Sequence, residues 1–290
     1  MIRSFAAASA VLLLAACSPS TPSFEIDNPT DTPVKVTIDG KTHEVAAGTS
    51  AALELDAGPH TLRTDRTGEV RISVCGAERG TLINPTLSDY VLAREIYVAD
   101  ASKLRNFGAA IATVELGDAV YEGPFEQYTG LFIDRTWDFG VREAFPKQQT
   151  VARIPENGGK ISTKLFTPQA FIDYIEDASD RQGEFARLHP DGYVQPARAL
   201  ETAPAELPPL PQTFEPHSAP LREAYAQRLQ VHDAGDCEAV RKRSHEAMMA
   251  ITGATAMLHV DQSPADNQAY NDFIDLYARL MGAGALVLPR

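Results

Sequence analysis

Val34-Lys35-Val36-Thr37-Ile38-Asp39-Gly40-Lys41-Thr42-His43-Glu44-Val45 is the stretch that decides how this chain begins to fold. Val34, Val36 and Ile38 alternate with Lys35 and Thr37, the period of a strand with one buried face. Asp39-Gly40 follows at once, and both residue types accept the positive φ of a two-residue hairpin turn. His43 and Val45 then lie on the returning strand. Outward from this hairpin, Gly48, Gly58 and Gly68 punctuate the runs Ala52–Leu55, Thr61–Thr64 and Val70–Val74. Short strands with turn signals about every ten residues point to a small antiparallel β-sandwich, assigned to residues 24–100.

Residues 101–195 read as a mixed, β-rich region. Tyr90–Val98, Gln149–Ile154 and Lys160–Phe166 have strand character. A helix is expected near 168–180, with Pro168 at its first position and Phe171, Ile172 and Ile175 on one face. Between the strands, Tyr121–Phe145 is rich in aromatics and acids. Residues 196–219, with Pro220 just beyond, carry Pro196, Pro204, Pro208, Pro209, Pro211 and Pro216. Proline fixes φ and lacks an N–H, so this stretch reads as an extended connector. Residues 220–290 read as helical. Leu221, Tyr225 and Leu229 share a face, Asp236 is placed to cap a helix, and Ser263-Pro264-Ala265-Asp266 has the form of a capped start. Tyr270, Phe273, Ile274, Tyr277, Leu280 and Met281 then form a helical stripe. The fold class expected is α+β: a β-sandwich-like module, a mixed middle and C-terminal helices.

The amino-terminal residues give an address. Arg3 precedes an uncharged run from Ser4 to Ala16 centred on Val11-Leu12-Leu13-Leu14. About a dozen apolar residues are too few for a stable span, which needs about 20, but suit a secretory signal. The run ends Leu14-Ala15-Ala16-Cys17, which resembles the lipobox of bacterial lipoproteins. The resemblance implies cleavage of residues 1–16 as a signal peptide and attachment of a diacylglyceryl group to Cys17. Two acyl chains on one residue suffice for stable anchoring. It also implies a cell-envelope location, with Ser18 in place of Asp pointing to the outer membrane. Residues 17–23 would be a short lipidated tether, about 20 Å long at roughly 3.5 Å per residue. A second resemblance covers Val36-Thr37-Ile38-Asp39-Gly40 and Ala57-Gly58-Pro59-His60-Thr61-Leu62, which look like the small β modules called PEGA-like. It implies a non-catalytic spacer or adhesive module.

Formal net charge is −13. An acidic balance argues against general nucleic-acid binding and against docking on anionic lipid. Once Cys17 is modified, Cys75 and Cys237 remain. In an oxidising compartment they form either one bridge or two separately buried thiols.

No strong reactive signature is present. His245-Glu246 lacks the second histidine four residues on that a zinc helix requires, because position 249 is Met. The seven histidines never pair at ligand spacing, so no metal or cofactor is expected. His232, Asp233 and Asp236 form a weak loop candidate better explained by a helix cap. Gly158-Gly159-Lys160 lacks the spacing of a phosphate loop and reads as a turn. Asp134, Asp138 and Glu143 lie beside Trp137. Paired carboxylates with aromatic walls are the equipment of a glycosidase, but an aromatic core with acids on its solvated side gives the same pattern. The function expected is a non-enzymatic envelope lipoprotein binding a protein or glycan partner. The alternative is a cell-wall or glycan hydrolase using those acids.

Overall fold

A computed structural model describes residues 21–98, 100, 102, 111–148 and 159–290. The decisive hairpin forms as read. Strands β2 (Val34–Ile38) and β3 (Lys41–Val45) pair antiparallel, with Val34 opposite Val45 and Ile38 opposite Lys41. Asp39 and Gly40 make the turn at φ 48° and 80°, the two positive values such a turn demands. The Asp39 carboxylate also accepts from the Thr61 N–H at 2.8 Å and meets His60 Nδ1 at 2.6 Å. The Asp-Gly and Gly-x-His elements are thus two halves of one polar clasp.

Strands β5 (Gly58–Thr64), β6 (Gly68–Val74) and the C-terminal β14 (Ala285–Val287) extend this hairpin into a sheet of order β14-β6-β5-β2-β3. A second sheet contains β1 (Ser23–Asp27), β4 (Ser50–Glu54), β7 (Thr81–Ile83) and β12 (Phe132–Asp134), in the order β12-β7-β1-β4. The inward residues of both, among them Phe24, Ile26, Val36, Leu62, Ile72 and Ile83, form one core. This is sandwich packing, with a correction: β1 and β7 run parallel, Phe24 opposite Thr81. The chain reaches β7 by way of the opposite sheet, so no hairpin forces the antiparallel direction.

The third sheet has the order β11-β8-β13, from Phe125–Tyr128, Tyr90–Tyr97 and Lys160–Phe166. A hairpin of β9 (Ala112–Leu116) and β10 (Ala119–Gly123) lies beside it, and helix α1 (Pro168–Ala178) packs on it, followed by the short helix α2 (Glu184–Leu188). Val91 and Ala93 of β8 face α1, with Phe166, Phe171 and Ile172. Tyr90 and Leu92 face the other way, with Leu82, Ile133 and Trp137. β8 is therefore a central strand buried on both faces, which is why its sequence lacks alternation. The strand expected at Gln149–Ile154 lies outside the described residues.

Strand pairing crosses the boundaries expected at residues 100 and 220. β8 leaves the sandwich for the third sheet, while β12 and β14 return to pair with β7 and β6. The free edges of β7 and β6 are thus covered by strands distant in sequence, β12 and β14. Helices α3 (Ala219–Arg228), α4 (Ala234–Thr255) and α5 (Pro264–Gly282) share a core with Leu286 of β14. The proline-rich stretch is also more than a connector. Apart from a single 3₁₀ turn at Glu215–His217 it has no regular structure, yet Ala203, Leu207, Leu210 and Phe214 are buried among the helices. Its prolines leave fewer N–H groups needing partners in the core.

Thr167 caps α1, and Ser263 caps α5 as expected. At α4 the cap is Asp233, whose side chain accepts from the Asp236 N–H, while Asp236 accepts from the His232 N–H. This reciprocal arrangement corrects the assignment of the cap to Asp236 and leaves no loop cation site. Cys75 and Cys237 are joined in a disulfide.

A candidate ligand-binding cleft

On β13, Lys164 and Phe166 point to one face, together with Glu95 and Tyr97 of the paired strand β8. Helix α1 lies over that face and contributes Tyr174 and Asp177, three residues apart and so on one side of the helix. The loop after β12 brings in Phe145, Pro146 and Lys147. These residues line a cleft of about 430 Å³. Its walls are aromatic. Phe166 and Tyr174 stack at 4.9 Å between centroids and 29° between planes. Phe145 meets Phe166 edge-on at 6.1 Å and Tyr97 at 6.5 Å, the offset geometry ring quadrupoles prefer.

Most polar groups of the cleft are already engaged. Lys164 is 5% exposed, and its ammonium donates to the carbonyls of Gly140 (2.8 Å), Val141 (3.3 Å) and Glu143 (2.5 Å). It also sits 4.7 Å from the centre of the Phe166 ring. Burial pulls its pKa below the ordinary lysine value, and the charge of Glu143 opposes that pull. Lys164 therefore pins the 140–143 loop to the sheet. Tyr174 donates its O–H to Glu95, and burial, then that bond, push its phenol well above the ordinary value. At the mouth, Lys147 and Asp177 stand exposed, 3.7 Å apart.

The three acids that the hydrolase alternative would use do not line this cleft. Asp134 ends β12 and accepts from Thr81 Oγ1 (2.7 Å) and the Gly284 N–H (2.9 Å). Burial raises its pKa, against those donors. It lines a different opening, of about 890 Å³ beside the disulfide, whose lining includes neither Asp138 nor Glu143. Asp138 accepts from the N–H and O–H of Thr163 at 3.1 and 3.2 Å and from Arg79 at 3.2 Å. Burial works to raise its pKa, but those donors outweigh it and hold the carboxyl below its ordinary value. Glu143 closes a turn by accepting from the Gly140 N–H. Trp137 is 3% exposed and packs under Tyr90 and Leu92, so its faces serve the core. Each acid fastens backbone, which accounts for the acid-and-aromatic pattern without a reaction. His245 is exposed on α4, and among the described residues no group of three or more His, Cys, Asp or Glu could hold a metal. Cys17 and Gly158 lie outside the described residues.

Two buried polar clamps gave no sequence signal. Asp27 is fully buried, accepts from Tyr90 Oη at 2.6 Å and pairs with Arg142. Burial raises its pKa, and the Tyr90 and Arg142 bonds lower it. Asp89, also fully buried, receives both Nε (2.9 Å) and Nη2 (3.0 Å) of Arg198, with Tyr193 and Gln127. The partners lie 38 to 115 positions away, beyond any local pattern. These clamps hold the cleft-bearing sheet and the start of the proline-rich stretch against the sandwich. Searches against protein-family models, curated proteins and solved structures found no match for this chain.

Proposed function

We propose that this chain is a lipid-anchored protein of the bacterial cell envelope that binds a protein or glycan partner without transforming it. The anchor is Cys17 within Leu14-Ala15-Ala16-Cys17, and the described fold starts only a few residues later, so the body is held near the outer membrane. No helix among the described residues is long and apolar enough to cross a membrane. The observation that carries the binding reading is the aromatic cleft of about 430 Å³. It has the size and apolar lining of a ligand site, whereas Asp134, Asp138 and Glu143 are each spent on backbone.

Three measurements test this. Mass spectrometry of the mature protein should give an amino terminus at a diacylated Cys17; an unmodified end, or another start, overturns the location. A photo-crosslinking residue at Lys147, beside the cleft, should capture an envelope component in cells that the same residue at Glu69, on the far sheet, does not. Release of fragments from purified envelope glycan by the purified protein would replace the binder with the hydrolase.

A further inference from the structure

We infer that the occupant of the cleft is an uncharged sugar ring within a glycan chain, an inference that rests on the binding reading above. Charge is the first ground. The cleft is lined by Glu95 and Asp177 and by Lys147 and Lys164, so its formal charges cancel. The Lys164 ammonium is consumed by three carbonyls and the Phe166 ring. A charged ligand would give up its hydration with no free buried counter-charge to receive it. A neutral ring gives up far less.

Shape is the second ground. Tyr97, Phe145 and Tyr174, each partly exposed, supply aromatic walls, whose negative faces attract the polarised C–H edges of a sugar. The exposed ion pair of Lys147 and Asp177 places one donor and one acceptor at the mouth, where ring hydroxyls need both. The third ground sets a glycan above an extended peptide. A peptide docking beside this sheet would add a strand to the outer edge of β13. That edge is already taken along Thr163–Leu165, because the Phe139 N–H donates to the Thr163 carbonyl and Phe139 accepts from the Leu165 N–H, both at 3.0 Å.

The test is calorimetric titration of the full mature protein in detergent with two neutral probes, tri-N-acetylchitotriose and maltotriose. At least one should bind saturably. K147A and D177A change only exposed side chains, so they should fold normally, and each should weaken binding severalfold. F145A should weaken it tenfold or more, with its fold checked by circular dichroism. Y174F keeps the ring and should retain affinity within about twofold. Absence of saturable binding to both sugars overturns the inference, as does binding that K147A, D177A and F145A leave unchanged. If the sugars fail while crosslinking at Lys147 captures an envelope protein, the occupant is a peptide surface: the sugar assignment falls and the binding reading stands.

Discussion

His60 stands between two acceptors, with Nδ1 2.6 Å from the Asp39 carboxylate and Nε2 2.8 Å from the Asp56 carbonyl. Asp39 in turn is pulled two ways: burial raises its pKa, but the Thr61 and His60 bonds prevail and hold it below the ordinary carboxylate value. A depressed carboxylate pKa contributes stability that is present above the unfolded-state value, near 4, and is lost as pH falls through the folded value. Asp39→Asn keeps a residue that tolerates the turn's positive φ and removes the charge, together with one of the two oxygens that accept from Thr61 and face His60. Because the carboxylate is about half exposed, screening limits the loss to about 1 kcal/mol or less at neutral pH. Urea unfolding should show that gap between wild type and variant closing below about pH 4. A gap that persists at pH 3 would mean the carboxylate's charge is not what holds the clasp. At this scale the sequence was half legible. Asp39-Gly40 announced a turn, because turn chemistry is local. Its bond to a histidine 21 positions away, like that of Asp27 to Arg142, depends on which strands become neighbours, and no local spacing records that.

Elements were legible where one face meets water and one meets the core. The β2–β3 hairpin, α1 and the stripe of α5 all stand close to where their periodicity put them, whereas on β13 the alternation gave the strand but not its buried face: Ser162 and Lys164 are buried and Ile161 is 48% exposed. The burial of the proline-rich stretch was hidden because its apolar residues have no period: Leu207, Leu210 and Phe214 reach the helical core from irregular backbone. Parallel pairing of β1 with β7 was equally hidden, since alternation gives a strand's faces and not its direction. One element contact tests the packing of β5 on the helices. Gly58 opens β5 at φ 131°, and a Cβ there would overlap the backbone carbonyl of His232, in the turn before α4. Gly58→Ala meets both a φ that L-residues avoid and a clash with main chain that no rotamer relieves. It should cost about 2–4 kcal/mol, whereas Gly68→Ala, at φ 65° with open space around its Cβ, should cost about 1–2 kcal/mol. Equal losses in thermal unfolding would show that β5 does not press against that turn.

The C-terminal part is closed onto the sandwich sheet through β6. β14 pairs with β6, the Leu288 N–H donates to the Arg71 carbonyl at 2.8 Å, and the buried Arg228 reaches Ser73 Oγ at 2.7 Å. Cys75–Cys237 spans 162 residues at the same junction. Both cysteines could be read as partners or as separate thiols from sequence, because pairing follows from the β14–β6 contact, which no motif foretells. A cross-link closing a loop of this length removes chain entropy from the unfolded state, stabilising the fold by up to about 5 kcal/mol. Cys75→Ala with Cys237→Ala should therefore lower stability by about 2–5 kcal/mol. It should leave the fold intact, since β14 and Arg228 still hold the junction. Because the helices share Leu286 with a strand of the sandwich sheet, unfolding of the double variant in urea should remain a single transition, the same by tryptophan fluorescence and by far-ultraviolet dichroism. Trp137 reports from the β-rich part and the dichroism chiefly from α3–α5. Two separated transitions would show that the helices form a unit of their own, and that the disulfide alone joins it to the rest.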